Sequence, residues 1–338
     1  MHAFITGATG FLGRHVAEQL NQQGWQITAL YRDINKTYQF ETGHIDWQLG
    51  DVRDINSLKD AVPHGVDAIF HLACDSHAWS LSRNQQFQTN VQGTENLAKV
   101  ALQKKAMRFI HTSSVAAYGL HDGAIDEHSE KRGMECPIRY FRTKYLAEEV
   151  IREYIGKGLD AVILNPSAII GPYDQKSWVR LFDNVKENHL PGVPPGRKSF
   201  CYAPEVALAH IQAFIHGRCG ENYILSGPTT DFNEVFKILS NHMQQPHSTH
   251  QLPSWFVKLR GLAYTLSAFI TRKEPDISLQ NAYVLCANVT AESEKAKREL
   301  QYQNRTSLED MLASAYQWWE SQQHSKTNLN TRIKKEVA

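Results

Sequence analysis

MHAFITGATGFLG, residues 1–13, begins with a short apolar segment that runs directly into three glycines. These glycines are Gly7, Gly10 and Gly13. Glycine permits backbone conformations that other residues cannot adopt, and it lets the backbone approach phosphate oxygens closely. Leu12, Val16 and Leu20 then recur at helical spacing, so a helix N-terminus with unpaired N–H groups follows the turn. A strand, a glycine turn and a helix in this order are typical of a dinucleotide-binding site.

The composition favours an enzyme that acts on small molecules. A formal net charge of +1 over 338 residues provides no basic surface for a nucleic acid. The five cysteines are odd in number, scattered and without metal-ligand spacing, which predicts a reducing compartment and no metal site. No stretch reaches the roughly 18 uninterrupted apolar residues of a membrane-spanning helix. The apolar N-terminus belongs to the predicted cofactor strand instead of a signal peptide. We therefore expect a cytoplasmic protein.

Apolar runs and helical patterns alternate through the first half of the chain. This alternation predicts an α/β fold with a Rossmann-type, doubly wound parallel sheet. The predicted strands cover residues 2–6, 26–31, 45–49, 67–72, 107–113, 160–165 and 222–226. The predicted helices cover residues 11–23, 54–62, 84–104 and 138–157.

The second half of the chain differs in composition, because prolines and glycines cluster there. We expect residues 1–171 to form an NAD(P)-binding domain, to which later segments near 200–226 return. Residues 172–320 are predicted to form a smaller, mainly helical substrate lobe, and residues 321–338 a polar tail. The segment PGVPPGRKSF at 191–200 is predicted to be a loop that lines the substrate pocket.

The stretch SWFVKLRGLAYTLSAFI, residues 254–270, is apolar over much of its surface. Two interpretations compete: docking on a membrane surface, or packing on the substrate lobe to line an apolar pocket. Lys258 and Arg260 are the only cations in the stretch, too few for a strong electrostatic anchor. We therefore expect the helix to pack on the lobe, without membrane contact.

Two short segments carry the candidate chemistry: HTSSVAAYG at 111–119, after a predicted strand, and YFRTK at 140–144, at the start of a helix. Tyr140 and Lys144 are four residues apart and share one helix face. A free tyrosine has a pKa of about 10, and a nearby ammonium group lowers that pKa toward the working range. A hydroxyl group from Ser114 would hold a substrate oxygen beside Tyr140 during hydride transfer.

Each of these patterns also has a structural interpretation. A Tyr-x-x-x-Lys pair is common on helix surfaces, and Thr112, Ser113 and Ser114 are typical caps of a strand end. The order of glycine turn, strand-end serine and Tyr–Lys pair within one α/β frame favours a catalytic site.

With these motifs the chain resembles the extended short-chain dehydrogenases/reductases of the NAD-dependent epimerase/dehydratase superfamily. The resemblance extends from residue 1 to about residue 320, and its motifs occur in family order. They are TGATGFLG (6–13), GDVRD (50–54), HLA (71–73), NVQGT (90–94), SSVAAYG (113–119), YFRTK (140–144) and NPSAIIGP (165–172).

The resemblance implies a role for each matching residue. It implies Ser114, Tyr140 and Lys144 as the catalytic residues, with Tyr140 and Lys144 also against the nicotinamide half of the cofactor. The implied pyrophosphate loop contains Gly7, Thr9, Gly10, Phe11, Leu12 and Gly13. Asp51 and Val52 match residues that contact adenine. The wall of the cofactor groove is matched by Leu72, Ala73 and Asn90. Pro166 and Ser167 match residues that lie near the nicotinamide. Two departures are Thr143, where the family often has serine, and Glu205, where it often has aspartate.

The end of the second strand bears on which nicotinamide cofactor is used. Enzymes selective for NAD usually carry an acidic residue there, whereas a nearby arginine accommodates the 2′-phosphate of NADP. Here Tyr31 ends the strand, Arg32 follows and Lys36 is close. Asp33 is either a ribose ligand or a turn cap. We expect NADP(H), with NAD(H) as the alternative.

Within the superfamily the chain is most similar to the dihydroflavonol-reductase-like and 3β-hydroxysteroid-dehydrogenase-like branch, at ALYRD (29–33), LNPSAIIGPYD (164–174), GVPPGRKSF (192–200) and ENYILSG (221–227). This resemblance implies an NADPH-dependent reductase of a ketone or aldehyde on a fairly apolar small molecule. The alternative is a nucleotide-sugar epimerase or dehydratase that retains NAD. A third hypothesis, a non-enzymatic scaffold, is disfavoured by the intact Ser–Tyr–Lys set. Relatives often form homodimers through the Tyr140 helix, so we expect a dimer.

Overall fold

The computed structural model describes residues 1–77, 84–187, 191–246, 250–272, 275 and 277–336. Its large sheet has seven parallel strands in the spatial order β3-β2-β1-β4-β5-β6-β9. These strands are β1 His2–Thr6, β2 Gln26–Tyr31, β3 Ile45–Leu49, β4 Ala68–His71, β5 Arg108–Thr112, β6 Ala161–Pro166 and β9 Asn222–Leu225. The predicted doubly wound parallel sheet is confirmed, and every predicted strand agrees with an observed one to within one residue at each end.

Helices cover both faces of this sheet. One layer contains α1 Phe11–Gln22, α7 Ala203–His216 and α11 Glu294–Leu300. The other contains α2 Ile55–Ala61, α4 Gly93–Gln103 and α5 Arg139–Gly156. The short helix α3 Gln85–Phe87 joins α4 through a π-helical turn at Gln88–Gln92. Because both faces are covered, all six residues of β6 are buried, as its unbroken apolar run predicts.

A second, three-stranded sheet has the order β10-β8-β7. Its strands are β7 Ala168–Ile170, β8 Arg197–Tyr202 and β10 Thr229–Asp231. They pack with α6 Ser177–Lys186, α8 Phe232–Met243 and α12 Leu308–Glu336 around an aromatic core that includes Trp178, Phe182 and Trp319. The prediction of a loop over 191–200 is therefore wrong from residue 197 onward, where β8 begins. β7 and β10 have three residues each and are too short for periodicity to reveal. The prolines and glycines of residues 191–196, directly before β8, are typical of a loop.

Two elements of the second half differ in placement from expectation. α11 packs on α7 and β9 and so belongs to the layers of the large sheet, although it lies in the interval predicted for the lobe. The polar segment 321–338 continues α12 as far as Glu336, and residues 337–338 lie outside the described residues.

The apolar stretch near residue 260 forms α9 Ser254–Thr271, which packs against α10 Leu279–Cys286. Val257, Gly261 and Ala268 face inward: all three are buried, and a Cβ on Gly261 would lie 2.7 Å from the Cβ of Ala282. Five large apolar residues are exposed instead: Trp255, Leu259, Leu262, Leu266 and Ile270. The prediction that this helix buries its apolar stripe on the lobe is therefore wrong. Across the described ranges, no helix is both long and apolar enough to cross a bilayer.

Gly13 sets how closely α1 approaches the turn after β1. A Cβ at this position would lie 2.0 Å from the carbonyl oxygen of Gly7, a backbone atom that cannot move aside. We expect Gly13→Ala to lower the free energy of unfolding by about 1–3 kcal/mol, because α1 must shift away from the sheet. Urea denaturation would measure the loss.

Gly156→Ala is the matched control, since this helical glycine has no heavy atom within 4 Å of a built Cβ. Alanine there should stabilise the helix by about 0.5–1 kcal/mol. Equal unfolding free energies for the two variants would contradict the packing role of Gly13.

Candidate active site

The glycine turn after β1 fits the pyrophosphate of a dinucleotide. Gly7 has a left-handed φ of +77°, and its carbonyl accepts a hydrogen bond from the Gly10 N–H at 2.9 Å. Gly10 caps α1 without a side-chain hydrogen bond, and the first turn of α1 contains no acidic residue. The first N–H groups of α1 therefore stay available to an anion, and the helix dipole favours negative charge there.

The remaining residues of the predicted loop divide between the turn and the core. Thr9 is half-buried in the turn, and Phe11 is half-buried at the start of α1, with its ring 6.0 Å from that of His15. Leu12 packs in the core, so only its backbone can face a ligand.

Leu72 and Ala73 lie directly beside this turn. The Leu72 N–H donates to the carbonyl of Thr6 at 3.1 Å, and the Ala73 N–H donates to the Thr6 hydroxyl at 3.3 Å. A Cβ on Gly7 would lie 2.7 Å from the Ala73 nitrogen, which only glycine avoids. The structure thus brings the predicted groove wall and the predicted pyrophosphate loop together.

The three candidate catalytic residues meet at the carboxyl ends of β5 and β6. The Ser114 hydroxyl accepts from the Ala116 N–H at 3.2 Å and donates to the Pro166 carbonyl at 3.4 Å. Tyr140 hydrogen-bonds with the side chains of Ser114 and Cys74. Lys144 is buried, and its Nζ lies 5.9 Å from the centroid of the Tyr140 ring. Ser114 therefore caps a turn and also lies beside Tyr140.

The acidity of Tyr140 differs from the prediction. Burial raises its pKa well above the ordinary value, the Cys74 side chain raises it further, and the hydrogen bond with Ser114 opposes both. The predicted lowering by Lys144 is not among the causes of the shift, and the Lys144 ammonium group donates to the Thr112 carbonyl at 2.9 Å. In this arrangement Tyr140 holds its proton at neutral pH.

Asn90 ties the Tyr140 helix to the loop after β4. Its amide donates to the Asp75 carbonyl at 2.9 Å and to the Thr143 hydroxyl at 3.0 Å, and its side-chain oxygen accepts from the Asp75 N–H at 2.7 Å. The Thr143 hydroxyl donates in turn to the Tyr140 carbonyl at 2.9 Å. The threonine at this position thus retains a hydroxyl that helps to hold Cys74 and Tyr140 close together.

The end of the groove beside β2 and β3 carries several cations and two carboxylates that already have hydrogen-bond or ion-pair partners. Asp33 caps the short turn Ile34–Lys36 by accepting from the Asn35 N–H at 3.1 Å, which favours the cap role over the ribose ligand. Asp51 pairs with Arg53 at 2.6 Å and with Arg32 at 3.8 Å. Burial opposes ionisation of Asp51, but the hydrogen bonds from Arg53 outweigh it and lower the pKa.

Arg32 and Lys36 are exposed beside this end of the groove. The Val52 side chain is buried in the core, so only its backbone faces the groove. Pro166 and Ser167 lie at the other end, next to Ser114. The Ser167 hydroxyl is buried without a hydrogen-bond partner among the described residues.

Glu148 is a buried carboxylate below Ser114 that the sequence analysis missed. It forms an ion pair with Lys131 and accepts hydrogen bonds from the Ser113 hydroxyl at 2.5 Å and the Asn165 amide at 2.6 Å. The Asn165 amide also donates to the Ser114 carbonyl at 3.0 Å, so this network fixes the backbone of the candidate serine. Glu148 lies four residues after Lys144 on the buried face of α5, and that spacing was the available signal.

Three histidines, His71, His111 and His210, are buried below the site and are neutral. Burial lowers the pKa of His71 to about 3 and that of His210 to about 4. His71 lies between the hydroxyl groups of Thr6 and Thr94. His210 donates to the Val206 carbonyl at 2.8 Å and so accepts from the Thr112 hydroxyl at 2.8 Å. Burial also lowers the pKa of His111. With such low pKa values, these histidines are unsuited to proton transfer at neutral pH.

Comparisons with known proteins agree with this geometry. The model of the NAD dependent epimerase/dehydratase family matches residues 3–226. A putative dihydroflavonol 4-reductase of Synechocystis is 27% identical, with 96% of each chain covered. Sterol demethylase protein B of Methylococcus capsulatus is 28% identical over 94% of this chain and 98% of that protein. The crystal structure of gox2253 has a TM-score of 0.81 at 28% identity, covering 95% of this chain and 98% of that one.

Substitution of Glu148 tests the buried network. Glu148→Gln keeps the shape but leaves the Lys131 ammonium without its anion, so we expect a loss of about 3 kcal/mol in the free energy of unfolding at pH 7. Burial opposes ionisation of Glu148, yet Lys131, Ser113 and Asn165 outweigh it and lower the pKa. The stabilisation is therefore complete above the unfolded-state pKa of about 4.3 and is lost as pH falls through the lower folded-state pKa.

Urea titrations across the acid range would measure this difference. Glu149→Gln is the control, because the neighbouring Glu149 is exposed and has one ion pair of 3.7 Å, with Arg152. Its change should stay below about 0.5 kcal/mol. If Glu148→Gln is equally mild, or if the gap to wild type persists undiminished in acid, the charged network does not have this role.

Proposed function

Since the chain belongs to the NAD dependent epimerase/dehydratase family and is thus an NAD(P)-dependent enzyme of the extended short-chain dehydrogenase/reductase type, we propose that it reduces a ketone or aldehyde. The substrate would be a fairly apolar small molecule, and NADPH the reductant. The observation that carries the proposal is the hydroxyl contact between Tyr140 and Ser114, next to the buried Lys144. Ala73 beside Gly7 and Cys74 beside Tyr140 connect this contact to the glycine turn.

The residues present fit NADPH along the whole groove. The N–H groups at the start of α1, between Gly7 and Gly13, would hold the pyrophosphate, with Thr9, Phe11 and Leu12 in the same turn. Asp51 and Val52 would border the adenine, and Leu72, Ala73 and Asn90 the groove between its two ends. Lys144 would bind the nicotinamide ribose, and Pro166 and Ser167 would lie against the nicotinamide.

The proposed chemistry assigns one task to each side chain. When bound, NADPH supplies the hydride that reaches the carbonyl carbon. Ser114 donates a hydrogen bond to the carbonyl oxygen and orients it, and Tyr140 gives its hydroxyl proton to that oxygen, so that the carbonyl becomes an alcohol. The raised pKa keeps Tyr140 protonated and ready to act as the acid. Lys144, whose ammonium group donates to the Thr112 carbonyl in this structure, is assigned to the nicotinamide ribose.

The preference for NADPH rests on the exposed end of β2. Asp33 is occupied as a turn cap, and the carboxylate of Asp51 is paired with Arg53. Arg32 and Lys36 therefore supply net positive charge where a 2′-phosphate would lie, and the planar guanidinium of Arg32 also suits stacking on adenine.

The apolar substrate class is supported by the surroundings of Tyr140. Tyr140 packs against the buried cluster of Ala116, Cys136, Ile138 and Phe141, as do Leu120 and, from α10, Tyr283 and Val284. Such a lining, with few polar groups near the reacting atom, suits an apolar carbonyl compound. One relative is named for a reductase and another for a sterol enzyme, which points the same way.

Tyr140→Phe tests the chemistry. Removing the proton donor should reduce turnover by about 10² or more, whereas cofactor affinity should change little. Tyr145→Phe, one turn further along the same helix, is the control and should keep wild-type turnover. Loss of reduced-nicotinamide absorbance with a panel of apolar ketones and aldehydes measures both.

A folded Tyr140→Phe protein with near wild-type turnover would exclude Tyr140 as the acid. Protein that purifies with NAD tightly bound, and that converts nucleotide sugars without consuming NADPH, would instead support the alternative epimerase.

Arg32→Ala tests the cofactor preference. Losing one charge-assisted contact to the 2′-phosphate costs roughly 1.5–3 kcal/mol, which corresponds to about 10- to 150-fold weaker NADPH binding. NADH binding should change much less, since NADH lacks that phosphate. Titration of both cofactors into wild type, Arg32→Ala and the exposed-charge control Lys59→Ala gives the comparison. Equal wild-type affinity for NADPH and NADH would defeat the preference.

A further inference from the structure

α9 exposes a row of large apolar side chains along its whole length. The exposed fractions are 66% for Trp255, 56% for Leu259, 39% for Leu262, 56% for Leu266 and 85% for Ile270. Their spacing of three or four residues places them on one side of the helix. Soluble proteins expose single apolar residues everywhere, but a continuous stripe of five indicates an interaction surface.

The stripe cannot turn inward without destroying the packing of α9 on α10. The inward side consists of small or medium residues, and Gly261 is already so close that an added Cβ would meet the Ser278 carbonyl oxygen at 3.1 Å. Leu279 of α10 also donates its N–H to the Thr265 hydroxyl at 2.9 Å, which fixes the rotation of α9. The large residues are therefore held outward by the fold.

The charges around the stripe indicate what covers it. From Ser254 to Arg272 the chain contains Lys258, Arg260 and Arg272 but no aspartate or glutamate. Lys258 flanks one side of the stripe, with its Nζ 4.9 Å from the centroid of the Tyr283 ring, and Arg260 flanks the other, 5.2 Å from that of Tyr264. A second copy of this helix would bring like charges together, whereas a surface of anionic phosphates complements them.

We propose that α9 docks this protein on an anionic lipid surface. The helix would lie parallel to the bilayer, with its stripe among the headgroups and upper acyl chains and its cations at phosphate level, as in other interfacial helices. Trp255, at one end of the stripe, has the amphipathic ring that favours this depth.

The docked face is connected to the candidate active site through α10. The side chain of Gln280 accepts from the Arg139 N–H at 3.1 Å, at the start of the Tyr140 helix, and Tyr283 packs in the cluster around Tyr140. Docking through α9 would thus bring the cluster around Tyr140 close to the membrane. The proposal does not depend on the reductase activity, because lipid binding is measured without substrate.

Vesicle co-sedimentation of the full chain tests the proposal. We expect binding to vesicles of phosphatidylcholine and phosphatidylglycerol, weaker binding to phosphatidylcholine alone, and a decline with salt as the charges are screened. Leu259→Glu with Leu266→Glu should reduce the partition coefficient at least tenfold, since two carboxylates would enter the apolar stripe.

The matched control is Leu208→Glu with Ile215→Glu on α7. These residues are also seven apart on one helix and are 38% and 50% exposed, and the charge change is the same. The control should bind vesicles like the wild type. Circular dichroism and NADPH titration establish that both double variants are folded.

Two results would overturn the proposal. One is wild-type protein that stays in the supernatant with anionic vesicles. The other is a lipid-free dimer, seen by sedimentation velocity, that the α9 variant abolishes and the α7 variant retains, because α9 would then be a subunit interface.

Discussion

Ionisation of Glu148 inside the protein is possible because groups from four other parts of the chain point at its carboxylate. Lys131 comes from the loop before α5, Ser113 from the end of β5, and Asn165 and Asn222 from β6 and β9. A buried charge without these partners would cost several kcal/mol. The carboxylate therefore holds three neighbouring strands and the Tyr140 helix in one arrangement, and the backbone of Ser114 is held by the same network.

This support explains how the candidate site combines rigid and adjustable parts. Ser114 and Thr112 are fixed by backbone contacts, and Asn90 and Thr143 hold the start of α5 against the loop after β4. Tyr140, in contrast, is held by side-chain contacts with Ser114 and Cys74, which a substrate oxygen can replace. A protonated Tyr140 in a mostly apolar setting suits donation of a proton to a developing alkoxide.

The second half of the chain has an aromatic core of its own and an exposed apolar helix face. Its aromatic core around Trp178 and Trp319 is buried, and yet α9 presents large apolar residues outward. The same helix touches α10, and α10 reaches the cluster around Tyr140. α10 therefore separates the apolar residues near Tyr140 from the exposed apolar face of α9. This arrangement suits a substrate with poor solubility in water.

The sequence by itself determined the seven strands of the large sheet and the helices between its first six strands, because a local pattern of apolar residues specifies each of them. α7 and α11, which also cover this sheet, were not predicted. The sequence also determined the glycine turn and the gathering of Ser114, Tyr140 and Lys144, since parallel strands end at one edge and residues four apart share a helix face. The short strands of the second sheet escaped prediction because three residues carry no measurable period.

Only the tertiary structure decided what depends on contacts between distant residues. The partners of Glu148 are up to 74 positions away from it, so no local pattern predicts a satisfied carboxylate there. The pKa of Tyr140 follows from its burial and from the side chains of Cys74 and Ser114 beside it, neither of which is visible in a spacing. The outward face of α9 was decided in the same way, because the close contact of Gly261 with Ala282 selects the small residues for the inside.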